Sequence, residues 1–177
     1  MTNYKAPFDH EGETSLVGWI ANTAAAENGN VKNDPGRGID WMLDINSWGV
    51  DVIDGLLYQV VDLEAGTYKI DAYIFHAATC CDGHLNFDLA AALGDTGLPF
   101  SEGSLGNVLD AATIPEVPVG TQDNEYWWDS EFIWDGAPPM VSIEFELSAA
   151  GKVSLGFYGK LQMAEFQINK IVLWRLQ

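Results

Sequence analysis

The sequence predicts an all-β fold, an antiparallel β-sandwich or jelly roll, on three observations. Apolar residues recur with a period of two in several segments, the signature of strands that bury one face. Short connections containing glycine punctuate those segments. No stretch of about ten residues carries a strong helical stripe.

The alternation is cleanest at Val141, Ile143, Phe145 and Leu147, set against Ser142, Glu144 and Glu146. Tyr68, Ile70, Ala72 and Ile74 alternate with Lys69, Asp71 and Tyr73, and Ile39, Trp41, Leu43 and Ile45 alternate with Asp40 and Asp44. Leu16–Ile20, Leu56–Val61, Leu85–Leu93, Val153–Tyr158 and Glu165–Leu176 complete the strand set. In the last of these the apolar parity changes between Ile168 and Ile171, so an extra residue in a β-bulge is expected near Asn169. Glu64-Ala65-Gly66 and Ala149-Ala150-Gly151 read as the turns of two antiparallel hairpins, Leu56–His76 and Val141–Tyr158, with Gly66 at a positive φ.

A chain of 177 residues with 47% hydrophobic content fits one domain over 1–177 with a full core. Two stretches break the strand pattern. Asn22–Gly38 is small and polar, and Gly94–Pro139, marked by Pro99, Pro115, Pro118, Pro138 and Pro139, reads as a long loop insertion. Loops of such length inside a domain are usually functional.

Charge excludes some partners. With 8 Lys and Arg against 26 Asp and Glu, the net charge of −18 repels phosphate backbones and anionic lipid, so nucleic acid is not an expected partner. The balance suits neutral sugars or divalent cations. Residues 1–10 are polar and lack the apolar core of a signal peptide, and no apolar run of about 18 residues occurs, so the chain reads as soluble and not inserted in a membrane.

Cys80 and Cys81 are neighbours, and a disulfide between neighbours is strained, so ordinary thiols in a loop are expected. His76, Cys80, Cys81 and His84 together offer zinc-binding side chains, but their spacing matches no standard zinc pattern, and adjacent cysteines fit one tetrahedral site badly. No nucleophile elbow, phosphate-binding loop, dinucleotide fingerprint or H-E-x-x-H motif occurs, so no catalytic residue is assigned.

The 7 Trp residues carry the argument for a ligand. Tyr126-Trp127-Trp128-Asp129, followed by Phe132 and Trp134, concentrates aromatic rings in the second irregular stretch, with Asp123, Asn124 and Glu125 beside them. A flat ring matches the C–H face of a pyranose while a carboxylate or amide takes its hydroxyls. Trp48, beside Gly49, is a further candidate. The competing expectation is that these rings plug the core, since adjacent residues of an extended chain point opposite ways. Trp19, Trp41 and Trp174 lie on strands and are assigned to the core.

The run from Gly55 to Ile70, including Tyr58-Gln59-Val60-Val61-Asp62-Leu63-Glu64-Ala65-Gly66-Thr67-Tyr68-Lys69, resembles the core motif of the DUF5013-like domains of Bacteroidetes surface lipoproteins. Gly151-Lys152-Val153-Ser154-Leu155-Gly156-Phe157 and the closing Phe166–Trp174 segment are similar to two further strands of that family. The resemblance spans most of the chain outside Gly94–Pro139. It implies a galactose-binding-like jelly roll at the cell surface or outside the cell, within a larger surface protein. It also implies a structural calcium ion, for which the acidic loops supply oxygens without showing the D-x-[DN]-x-[DN]-G pattern. Three classes stay open: a non-catalytic carbohydrate-binding module taking polysaccharide or oligosaccharide, a structural or protein-interaction module, and a glycan hydrolase with paired carboxylates.

Overall fold

The computed structural model describes residues 2–6, 18–29, 32–34, 42–47, 50–95, 107–115 and 140–176. Its strands are β1 (Thr2–Ala6), β2 (Ile20–Ala21), β3 (Lys32–Asp34), β4 (Met42–Asn46), β5 (Val52–Leu63), β6 (Gly66–Leu93), β7 (Val108–Thr113), β8 (Met140–Leu147) and β9 (Gly151–Leu176). The described helix is a single turn, Ala24–Asn28. Every strand pairing is antiparallel.

Two pairs of expected strands are continuous. Tyr68–Ile74 and Leu85–Leu93 both belong to β6, and Val153–Tyr158 and Glu165–Leu176 both belong to β9. These strands run against each other from Thr67 opposite Leu176 to Leu93 opposite Val153. Beside their first section, β8 flanks β6, while β1 and β4 flank β9 and β3 follows β4. Beside their second section, β7 flanks β6, while β5 flanks β9 and β2 follows β5.

One core joins the two half-sheets so made. Tyr68, Ile70, Ile143, Phe145 and Leu173 from the first half-sheet cluster with Leu57, Phe87, Leu89, Val153 and Phe157 from the second. The hydrogen-bonded sheet is therefore folded over on its apolar face, which gives the predicted all-β sandwich. Trp19 packs on this core as expected, its ring centre 6.3 Å from that of Phe157 and the planes 14° apart.

The fold-over needs a bend in both long strands. Thr79 lies opposite Ala164 and His84 opposite Gln162, so residues 80–83 of β6 face Met163 alone on β9. Cys81, Asp82 and Met163 take φ values of 56°, 64° and 43°, a left-handed backbone that turns each strand. The segment is thus a bulged strand and not the expected loop. The expectation of ordinary thiols also fails, because Cys81 is disulfide-bonded in a chain with 2 cysteines. Left-handed backbone at Cys81 and Asp82 reshapes the chain where an extended strand would hold neighbouring thiols apart. A second irregularity lies where the parity change placed it: Tyr73 faces Lys170 and Ile74 faces Ile168, leaving Asn169 as the extra residue.

Neither expected hairpin forms. β5 pairs with β2 and β9, and β8 pairs with β6, so the turns after Leu63 and Leu147 carry the chain from one half-sheet to the other. Alternation dictates which face is buried and leaves the neighbour undetermined. With Leu63 and Tyr68 both in the core, crossing the sandwich satisfies the pattern as well as pairing would. The first crossing is held by the Tyr68 hydroxyl, which donates to the Glu64 carbonyl at 2.9 Å, and by Arg175 Nη2, which donates to the Ala65 carbonyl at 2.8 Å. Gly66 has the expected positive φ, at 155°.

Both irregular stretches contain anchors. Asn22 Oδ1 accepts from the amides of Ala25 and Leu56, each at 3.0 Å, and Nδ2 donates to the Asp54 carbonyl at 2.7 Å, which ties the helical turn to β5. The expected insertion Gly94–Pro139 holds β7, which pairs with β6 between Asp88 and Ala92. From β7, Asp110 Oδ2 accepts the Glu144 amide of β8 at 2.9 Å.

Gly66 and Gly159 should differ sharply in tolerance. A Cβ at Gly66 would meet the flexible Arg175 side chain at 3.2 Å, whereas at Gly159, whose φ is 153°, it would run into the Asn86 carbonyl oxygen and lie 2.7 Å from Phe87 Cα. Gly66→Val is expected to cost about 1–3 kcal/mol and Gly159→Val more than that. Denaturant midpoints of the two variants check the order.

Candidate functional site

The alternation that fills the core with Ile70, Ala72, Ile143 and Leu173 turns Lys69, Asp71, Ser142, Glu144 and Trp174 to the outer face of the first half-sheet. Trp174 was assigned to the core, and the structure corrects this. The extra residue at Asn169 resets the parity of β9, so Ile171 and Leu173 face inward and Trp174 outward, half-buried.

Asp71 organises this face. It is 5% exposed, and each of its oxygens is engaged. Oδ1 accepts from Ser142 Oγ at 2.6 Å and pairs with Lys69 Nζ at 2.9 Å, while Oδ2 accepts from Trp174 Nε1 at 2.8 Å. Burial pushes the Asp71 carboxyl up, but the hydrogen bonds from Ser142, Lys69 and Trp174 and the Lys69 charge outweigh it and hold the group below the usual carboxylate value. The hydrogen bond to Asp71 raises Lys69 in turn.

Chemically, this arrangement fixes an aromatic ring by its edge. The indole N–H lies in the ring plane, so bonding it to Asp71 holds the edge and leaves the ring faces to other contacts. Tyr73 continues the face, half-buried, one row beyond Asp71. Its register partner on β8 is Met140, where the chain re-enters the described structure after residues 116–139.

Trp48, Asp123, Asn124, Glu125, Tyr126, Trp127, Trp128, Asp129 and Trp134, the residues the sequence nominated, lie outside the described residues. So do Trp41 and the side chains of His76 and Cys80. Zinc at the His76–His84 segment does not fit, since a disulfide-bonded Cys81 offers no thiolate. Among the described residues, no three His, Cys, Asp or Glu side chains gather to hold a metal ion. The sequence reading missed Asp71, Ser142 and Trp174 as a group, although the polar parity of the two clean strands already placed Asp71 and Ser142 opposite the core face.

The fold is shared with the cleaved adhesin domains of Lys-gingipain. The K1 domain from Porphyromonas gingivalis W83 is 15% identical, matches 100% of both chains and gives a TM-score of 0.53. The K3 domain from the same organism is 15% identical over 98% of this chain and 97% of its own, with a TM-score of 0.51. The K2 domain is 16% identical over 98% of each, also at 0.51. At such identities the likeness is one of fold. No protein-family model matches the chain, and no curated protein matches it.

Replacing Asp71 should show a defined pH dependence. Because the folded carboxyl titrates below its ordinary 3.8, its stabilisation is complete above that value and is lost as pH falls through the folded value. Lys69, raised above 10.5, contributes below that value and loses its contribution as pH rises past it. Asp71→Asn is expected to cost about 1–3 kcal/mol at neutral pH, and the gap from the parent should close on acidification below 3.8. Thermal melts of both proteins across pH check this.

Proposed function

We propose that the chain is a non-catalytic carbohydrate-binding module of a bacterial cell-surface or secreted glycan-utilisation protein, related to the DUF5013-like domains. It takes a polysaccharide or oligosaccharide on the outer face of the first half-sheet, assisted by the aromatic segment that leads into Met140. The carrying observation is the half-buried Trp174 indole, held at its edge by a carboxylate that Ser142 and Lys69 position. Such a ring offers a face to pyranose C–H groups, and Lys69, Ser142 and Glu144 lie close enough to meet hydroxyls.

Three facts support the reading. The sandwich is one that the cleaved adhesin domains of Lys-gingipain share. The disulfide at Cys81 suits an oxidising compartment outside the cytoplasm. The net charge of −18 favours neutral over anionic glycans. Trp127, Trp128, Trp134 and Tyr126 are proposed as further stacking rings, Asp123, Asn124 and Asp129 as their polar anchors, and Trp48 as an outlying ring. A structural calcium ion held by acidic loop oxygens is part of the proposal.

A glycan array followed by calorimetric titration tests the proposal. A shallow site orders its ligand and encloses little of it, so the expected dissociation constant is on the order of 10 μM to 1 mM. Trp174→Ala, Trp127→Ala, Trp128→Ala and Trp134→Ala separate the roles. A stacking ring loses binding and leaves the melt nearly unchanged, whereas a core ring costs about 3–5 kcal/mol. A parent protein that binds no glycan refutes the proposal.

A further inference from the structure

We propose that the Cys81 disulfide closes on its neighbour Cys80 and acts as a redox-sensitive latch: an external dithiol opens it, and opening loosens the β6 side of the bend between the half-sheets. The proposal stands apart from the carbohydrate reading. It starts from the pairing. Cys81 is disulfide-bonded, and the sequence holds one other cysteine, Cys80.

A bond between neighbours makes a poor staple. A disulfide stabilises mainly by restricting the unfolded chain, and the restriction grows with the length of chain enclosed. Here no residue is enclosed. Consecutive Cα atoms are also about 3.8 Å apart, inside the usual disulfide range of about 4.4–6.8 Å, which makes such a bond easier to reduce. What this small ring does restrict is the backbone of the cysteines themselves. Cys81 has a φ of 56° and Asp82 one of 64°, a region that residues with a side chain seldom enter. The ring is therefore placed to hold the left-handed backbone that the bend needs.

The two sides of the bend are secured differently. On β9, the buried Ala164 accepts the Ser47 amide at 2.9 Å on its carbonyl and donates its own amide to Ser47 Oγ at 3.1 Å, while Leu161 lies in the core. Packing and the end of β4 thus pin that side. On β6, the ladder skips from Thr79 to His84, and Cys81, Asp82 and His84 are exposed. The disulfide is the covalent tie on this side, and it lies open to an attacking thiolate. Exposed disulfides are the labile ones, whereas structural disulfides resist reduction.

The reaction is thiol–disulfide exchange. An incoming thiolate attacks the sulfur of one cysteine, forms a mixed disulfide and releases the other cysteine as a thiolate, which takes a proton from water. The second sulfur of the dithiol then displaces the first cysteine, so the reductant leaves as its own disulfide and Cys80 and Cys81 become thiols. Two electrons and two protons pass to the protein. An oxidised dithiol restores the bond by the reverse steps.

The test is amide hydrogen exchange on the full chain before and after reduction with dithiothreitol, with mass spectrometry of the alkylated, unreduced protein to establish the pairing. Unreduced protein should show the mass of a single chain with no alkylated cysteine; a disulfide-linked dimer or free thiols overturns the proposal. Reduction should speed exchange about tenfold or more at Ala77–Thr79 and His84–Leu85 and leave Ile143–Phe145 and Leu155–Phe157 unchanged. The double variant Cys80→Ser, Cys81→Ser should match the reduced parent and ignore dithiothreitol. Should it fail to fold, reduction of the folded parent makes the same comparison. Exchange unchanged everywhere overturns the latch. So does acceleration across the whole core, which marks a global staple, and so does resistance of the native protein to dithiothreitol.

Discussion

The pairing of β6 with β9 is the constraint on which the rest of the structure depends. Each of these strands belongs to both half-sheets, so the apolar faces can meet only if both strands bend at the same level. Left-handed backbone at Cys81, Asp82 and Met163 provides the bend on each side of the ladder. Such conformations cost about 1–3 kcal/mol each for residues with a side chain, and burial of the shared core offsets them. The disulfide at Cys81 sits within the bend. An unbent pair would leave Phe157 and Ile70 on two separate exposed surfaces.

The same two strands carry the candidate face, and this ties ligand geometry to core geometry. Asp71 lies between Ile70 and Ala72, and Trp174 follows Leu173, so each polar or aromatic group on the outer side is held by buried neighbours on the inner side. A site built on strand centres is more rigid than one built on loops. The Asp71 network adds its own rigidity, since a carboxylate with three donors leaves the indole little freedom.

What the sequence reveals here follows from what alternation encodes. The inward sets Tyr68–Ile74 and Val141–Leu147 are legible because each is a clean period of two, and the bulge at Asn169 is legible because parity breaks there. Pairing partners are not legible. Local alternation cannot distinguish a hairpin from a crossing, and both turns proved to be crossings. The joins within β6 and β9 were hidden because residues 76–84 are small or polar and positive-φ residues interrupt their period. β7 was hidden by its short, weak pattern, only partly buried along its length. Trp174 was misassigned because its strand was read without carrying the predicted bulge through to the residues beyond it. The aromatic segment 126–134 lies outside the described residues, so its role rests on composition and on its chain connection to Met140.

The contact from Asp110 to the Glu144 amide bears on how such a domain survives in a crowd. Among the described residues β8 pairs only with β6, and no described strand pairs with the backbone groups on its far side. An open border recruits strands from other molecules, and the hazard is greatest for chains packed densely or passing through partly folded states. Here a carboxylate from β7 occupies the amide at the middle of that far side and brings a negative charge to it. A neighbouring copy carrying the same −18 would meet repulsion where it would otherwise find a template for fibre growth.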